Sequence, residues 1–312
     1  MKGPGFYPEE IIFSVTDTCN LKCAHCFVSR KNLKLDIEKA KKFLESCSDQ
    51  IQYLGFSGGE PFFNLDFIEE ITRTALQKGM MFDRIISNGL WWNKEEDLEK
   101  ALKKLYDAGY DGKIGLSFDI FHKSNPQKAA VFIRSVIKTF NDEQIVDIQS
   151  VISEDAEGDI KLINELAECL KGSLEFNLDK KTGKGTIILE GEGFYIPVYR
   201  EPQSFQSTDE RAWKSKKWFK EDFCQGPGQI LFIHPNGNIA PCCGFSNENT
   251  ALILGTIDDT FDQIMKKAET NKMIEICYKT GLSKKIRKAK KQTPGKTSDQ
   301  CTFCDFICRN NC

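Results

Sequence analysis

The stretch CNLKCAHC, residues 19–26, sets three cysteines in the spacing C-x3-C-x2-C directly behind a strand-like segment, EIIFSV at 10–15. Three thiolates in so short a loop can hold three irons of a four-iron cubane and leave the fourth iron open. A zinc knuckle with His25 as fourth ligand meets a geometric obstacle, because His25 directly precedes Cys26 and neighbours do not readily ligate one ion. Spacing and position therefore favour a cluster with an open site.

Outward from this loop the chain alternates between two periodicities. LDIEKAKKFLESC (35–47) reads as an amphipathic helix with Asp36 as N-cap, followed by the strand IQYLGFS (51–57). Helices at 64–79, 94–109, 126–140 and 159–172 then alternate with strands at 82–87, 113–119, 144–152 and 173–178. Six strands with five intervening helices predict a parallel sheet with right-handed crossovers. The pattern admits an open doubly wound sheet or a partial barrel, and both put chemistry at the C-terminal ends of the strands. The second strand ends in FSGGEP (56–61), where Gly58 and Gly59 allow close approach of a ligand and Glu60 aims a carboxylate over the mouth.

The bulk properties narrow the setting. Thirteen cysteines in a 312-residue chain with no apolar signal segment point to metal binding or catalysis rather than a disulfide framework. A net charge of −2 gives no pull toward nucleic acid or acidic lipid, and no window approaches a membrane span. The expected location is cytoplasmic, with neither nucleic acid nor membrane as partner. Cys47 closes an apolar helical stripe and reads as core, as do Cys169 and Cys277.

After residue 190 the character changes, and a boundary is expected near residue 205, giving domains 1–205 and 206–312. QILFIHPNGNIAP reads as a hairpin turning at Asn236-Gly237, followed by a helix over 261–281. The basic run KKIRKAKK (284–291) reads as a solvated helix face before the terminal CTFCDFICRNNC. His234 reads as structural. His122 lies near the active mouth, and Asp119 there orients a peptide substrate or makes a structural hydrogen bond.

Four features in order, the three-cysteine loop, Gly-Gly-Glu-Pro, ISNGLW (86–91) and LSFDIFH (116–122), make residues 10–180 resemble the radical S-adenosylmethionine (SAM) superfamily. The resemblance implies a partial (β/α)6 barrel of TIM type. It implies a [4Fe-4S] cluster on Cys19, Cys23 and Cys26, with SAM chelated at the open iron. Gly58, Gly59 and Glu60 would meet the methionine amino group, Ser87 and Asn88 the ribose side, and His25 would lie beside the adenine. An external electron donor such as flavodoxin or ferredoxin is implied as a partner.

Cys224, twelve residues, Gly237, four residues and Cys242 look like the start of the auxiliary-cluster domain of radical SAM peptide maturases, in its two-cluster (SPASM) or one-cluster (twitch) form. The terminal run is C-x2-C-x3-C-x3-C (301, 304, 308, 312), which departs from the two-cluster pattern. One auxiliary [4Fe-4S] cluster on Cys224, Cys242, Cys301 and Cys304 is expected. The competing readings are a cluster held by the four terminal cysteines alone and a structural zinc.

CQGPGQILFIHPNGNIAPCC further resembles the epipeptide-type radical SAM peptide epimerases, as does the Asp119 and His122 pair. In that group the first of two adjacent cysteines ligates a cluster and the second returns a hydrogen atom to a peptide Cα. By resemblance Cys242 is the ligand and Cys243 the donor, and the substrate is a ribosomally made precursor peptide. With the first strand near residue 10, peptide recognition is expected from the barrel, the C-terminal domain or another protein. Two alternatives remain, a maturase forming thioether or carbon–carbon crosslinks and a non-enzymatic iron–sulfur or zinc scaffold.

Overall fold

The computed structural model describes residues 3–176, 185–189, 195–224, 228–289 and 292–310. The chain opens with β1 (Glu10–Ser14), α1 (Ile37–Ser46), β2 (Tyr53–Ser57), α2 (Leu65–Gln77) and β3 (Met81–Ser87). Next come α3 (Glu95–Asp107), β4 (Lys113–Ser117), α4 (Pro126–Phe140), β5 (Val146–Ile152) and α5 (Ala156–Cys169). Three strands follow, β6 (Gly172–Phe176), β7 (Gly185–Leu189) and β8 (Tyr195–Pro202). The remaining elements are β9 (Gly228–Ile233), β10 (Asn238–Cys242), β11 (Gly255–Thr256), α6 (Phe261–Thr270), α7 (Lys272–Ile274), α8 (Leu282–Ala289) and α9 (Gln300–Asn310).

The helices form where the apolar residues recur every three or four positions. In α2 this stripe is Phe67, Ile68, Ile71, Thr72 and Ala75, and in α3 it is Leu98, Ala101, Leu102 and Leu105, all buried. Side-chain caps fix several helix starts. Asp36 accepts from the Lys39 N–H at 2.9 Å, as the sequence predicts, and Asn125 and Asp155 cap α4 and α5 in the same way.

Two compact units emerge, one of residues 1–14, 35–53 and 204–312, the other of 15–34 and 54–203. The expected domains followed the order of the chain, whereas these units are compact in space.

The second unit carries strand order β2-β3-β4-β5-β8-β7-β6. Strands β3, β4, β5 and β8 run parallel in sequence, each paired with the next. Their inward residues, among them Ile85, Ile114, Leu116, Ile148 and Val198, are buried to within 1%. The strand beside β5 corrects the sequence reading. The segment predicted as the sixth parallel strand is β6, which pairs antiparallel with β7, while β8 takes the place next to β5. Pro197 inside β8 lacks a backbone donor and sits between the buried Ile196 and Val198. The predicted end of the sixth strand, residues 177–178, lies outside the described residues.

In the first unit β9 pairs parallel with β1, from Glu10↔Ile230 to Phe13↔Ile233, and β10 and β11 extend the sheet antiparallel. The hairpin turns at Asn236-Gly237 as expected, with the Gly237 N–H on the His234 carbonyl at 2.8 Å. The ladder register shifts between Ala240 and Cys242, at Pro241, which has no N–H to give.

The helix expected over 261–281 is broken. Asn271 ends α6, and its side chain then accepts from the N–H groups of Met273 and Ile274 at 2.9 and 3.0 Å. Residues Glu275–Thr280 continue as a π-helical turn. On α8, Lys284, Arg287 and Lys288 are exposed, the solvated face that the basic run predicts. Helix α9 is pinned by the buried Asp305 carboxylate, which accepts from the Ser207 N–H and hydroxyl, the Ser246 hydroxyl and the Arg309 guanidinium.

Candidate functional site

In the second unit a loop leaves the chain at Thr16 and returns at Lys34, where the two form a bridge. Its neck is closed by the buried Asp17 carboxylate, which accepts from the N–H groups of Lys31 (2.9 Å) and Leu33 (2.7 Å). Inside the loop lie Cys19, Cys23 and Cys26.

Each of the three sulfurs has a nearby donor. The Cys19 Sγ receives the Leu21 N–H at 3.4 Å and the Asn88 amide at 3.6 Å. The Arg30 guanidinium lies 3.8 Å from the Cys26 Sγ and also bonds the Leu21 carbonyl. The His122 ring bonds the Cys23 sulfur. Burial pushes the Cys19 thiol up, so without a metal it holds its proton, and ligation has to displace it. Three thiols in one closed loop, each met by a donor, fit a cluster with three protein ligands, since such donors stabilise thiolate charge.

The Gly-Gly-Glu-Pro turn sits against this loop. The Gly59 and Glu60 N–H groups donate to the carbonyls of Thr16 and Thr18 at 2.7 and 2.9 Å. A Cβ on Gly59 would lie 2.7 Å from the Asp17 carbonyl oxygen, and one on Gly58 would strike Thr16, so glycine here lets two backbone segments touch. The Glu60 side chain is fully buried and turned toward the end of β3. Its carboxylate accepts from the Ser87 hydroxyl and the Asn88 N–H, both at 2.9 Å, and from the Phe62 N–H at 3.3 Å. Burial outweighs these bonds and raises the carboxyl to about 7. Glu60 thus locks the ends of β2 and β3 together, and the Asn88 amide that this fixes reaches Cys19 and Asn20.

At the end of β4, Asp119 is 2% exposed and carries His122. Its Oδ1 accepts from the His122 backbone N–H at 2.9 Å and meets ring Nδ1 at 2.8 Å, while Oδ2 accepts from the Val151 N–H at 3.2 Å. Burial opposes charge on both, yet their mutual bond holds Asp119 below its usual range and, with Cys23, lifts His122 to about 10. His25 stands edge-on to Phe121 and His122, each at 4.9 Å. Its Nδ1 is buried without a hydrogen-bond partner, an open polar atom facing the site. Ligand atoms of His25, Asp119 and His122 lie within 4.8 Å of one another. The donor set suits a divalent metal, but the Asp119 bond already occupies His122 Nδ1, so the pair is built as a proton-bearing imidazole and its anchor.

The first unit holds a second thiol cluster. Cys224, Cys242, Cys277, Cys301 and Cys304 line one cavity, walled otherwise by apolar side chains such as Leu252, Met273 and Ile274. Four of these are the expected ligands of the auxiliary site, and the structure brings them together. The fifth is Cys277, which the sequence predicts as a core cysteine like Cys47. No sequence signal separated it from a core cysteine. No disulfide joins any of the described cysteines, and Cys312 lies outside the described residues. A Cβ on Gly228 would lie 2.7 Å from the Cys224 Sγ and collide with the Tyr278 hydroxyl, so this cradle accepts only glycine. Five thiols on an apolar wall fit an iron–sulfur cluster, which needs thiolate ligands and a dry surround.

Cys243 does not line that cavity. It is exposed, whereas Cys242 beside it is half-buried. Desolvation by surrounding protein and the Glu10 carboxylate push the Cys243 thiol up to about 12. Both causes act in one direction, so the sulfur keeps its S–H at neutral pH.

Comparison with known proteins finds family matches over both regions of the chain. Residues 13–148 match the Radical SAM superfamily, and residues 224–305 match an iron–sulfur cluster-binding domain, SPASM. The chain is 21% identical to the "Putative peptide biosynthesis protein YydG" of Bacillus subtilis (strain 168), over 88% of this chain and 82% of that one. It is 32% identical to a GTP 3',8-cyclase of Aliarcobacter butzleri (strain RM4018), over 83% of this chain and 88% of that one. Among solved structures, anSMEcpe with bound AdoMet shares its fold, with a TM-score of 0.51 at 17% identity over 86% of this chain and 83% of that one. The fold is the α/β partial barrel with a C-terminal cluster-binding domain that the sequence predicts.

Proposed function

The chain belongs to the radical SAM superfamily, and on that premise we propose that it is a peptide epimerase, converting L- to D-residues in a ribosomally made precursor peptide. The observation that carries this reading is the pair Cys242 and Cys243, one thiol lining the cluster cavity and the next exposed with its proton retained. The similarity to YydG supports a peptide as substrate class.

Cys19, Cys23 and Cys26 hold the cluster that binds SAM, and Cys224, Cys242, Cys301 and Cys304 hold the auxiliary cluster. When bound, the first cluster and SAM supply the 5′-deoxyadenosyl radical that removes a hydrogen atom from a peptide Cα. Asp119 fixes the His122 ring against Cys23 and so sets the environment of that cluster. Gly58, Gly59 and Glu60, with Ser87, Asn88 and His25, shape the SAM pocket. Cys243 then breaks its S–H bond as the new Cα–H bond forms on the opposite face, and position decides the outcome. One electron from an external donor of the flavodoxin or ferredoxin kind and one proton from water restore the thiol.

The test is the mass of the product in deuterated water. Epimerisation adds one deuterium at each inverted Cα and leaves composition otherwise unchanged. A crosslinking maturase instead removes two hydrogens, and that result rejects the epimerase. Absence of 5′-deoxyadenosine after reduction with SAM rejects the enzyme altogether.

A further inference from the structure

The auxiliary cavity holds one thiol more than a cluster with four irons can use. Cys277 is the surplus residue, and it is tied to two of the other four. Its Sγ lies 3.9 Å from the Cys304 Sγ, which also meets the Cys308 thiol on the next turn of α9. Its carbonyl accepts the Cys224 N–H at 3.0 Å.

The π-helical turn explains this second contact. In a π-helix the Cys277 carbonyl would pair with the N–H five residues on, that of Leu282. That N–H goes instead to the Asp222 carbonyl at 2.8 Å, which leaves the Cys277 carbonyl for Cys224. The same turn places Tyr278 beneath the site, its hydroxyl accepting from the Gln229 N–H at 3.2 Å and donating to the Pro241 carbonyl at 3.3 Å. Single π turns inside helices recur at functional sites. Here the turn puts a buried thiol, 5% exposed, on the cavity wall beside Cys304.

We propose that Cys277 and Cys304 are interchangeable ligands for one iron of the auxiliary cluster. The proposal rests on the reading that this cavity holds an iron–sulfur cluster. In the exchange the iron–sulfur bond to Cys304 breaks as that to Cys277 forms, and the proton of the incoming thiol passes to the departing sulfur. No electron is transferred. The two sulfurs lie 3.9 Å apart, so one iron could be met from either side chain.

The experiment uses the full chain with Cys19, Cys23 and Cys26 replaced by alanine, so that iron reports the auxiliary site alone. After anaerobic reconstitution with iron and sulfide, iron and sulfide per chain and the electron paramagnetic resonance of the reduced protein are measured. The parent should carry about four of each. C277A and C304A should each keep that content, with C304A showing shifted g values. C277A/C304A should fall below about one iron per chain. Loss of the cluster in either single variant, or its retention in the double, overturns the exchange. A parent without iron and sulfide overturns the cluster reading itself. Circular dichroism follows folding, and C277S/C304S, which keeps the side-chain volumes, replaces the alanine pair if that misfolds. In that variant a signal identical to the parent's overturns the proposal.

Discussion

One Asp119 oxygen binds His122 twice, through the backbone N–H at 2.9 Å and through ring Nδ1 at 2.8 Å. The second oxygen takes the Val151 N–H at 3.2 Å, so the carboxylate fastens the ends of β4 and β5 to one imidazole. That imidazole bonds the Cys23 sulfur in the three-cysteine loop.

Asp119→Asn keeps the shape and one acceptor but gives up the charge that holds His122. Partners that orient metal-site residues in this way are worth roughly 10–100-fold in activity. We expect 5′-deoxyadenosine formation to fall by about that factor, while iron content stays that of the wild type. An unchanged rate would show that the pair is structural.

Glu60 gives a pH signature in the metal-free protein. Its folded carboxyl is raised to about 7, above the ordinary value of 4.5, because burial disfavours the charge. Between these values the folded state keeps a proton that the unfolded chain releases. Its contribution is therefore present at low pH and is lost as pH rises through about 7. The loss amounts to about 3 kcal/mol at most. Urea unfolding at pH 5 and pH 7 should show the decline in the wild type and a flatter profile in Glu60→Gln. Identical pH profiles would contradict the assignment.

Gly228→Ala tests the cradle of the auxiliary site. The new methyl would sit 2.7 Å from the Cys224 sulfur, tighter than real contacts allow, and would strike the Tyr278 hydroxyl. Overpacking of this kind costs about 1–3 kcal/mol. Iron per chain should drop from about eight to about four as one of two clusters is lost, with the three-cysteine loop still loaded. Full iron content would show that the cradle tolerates a side chain.

What could be read from the chain was local. The three-cysteine loop, the Asp36 cap and the Asn236-Gly237 turn each depend on a few adjacent residues, and each appears where the spacing put it. What depends on long-range packing was hidden. β8 replaces β6 beside β5 because the antiparallel pair β6 and β7 intervenes, and Pro197 interrupts the alternation of β8. Cys277 is recognisable only beside Cys304, to which a helix break at Asn271 and a π turn deliver it. Glu60 sits where expected, but its carboxylate faces Ser87 and Asn88 and not an open mouth, a direction that spacing cannot give.

Cys243 carries the central claim, and replacing it with alanine in deuterated water tests that claim most directly. The measurement is deuterium incorporated at the Cα positions of the precursor peptide, taken together with 5′-deoxyadenosine released. The wild type should add one deuterium per inverted residue. Cys243→Ala should release 5′-deoxyadenosine and yield no D-residue. D-residues formed by Cys243→Ala at the wild-type rate would contradict the account.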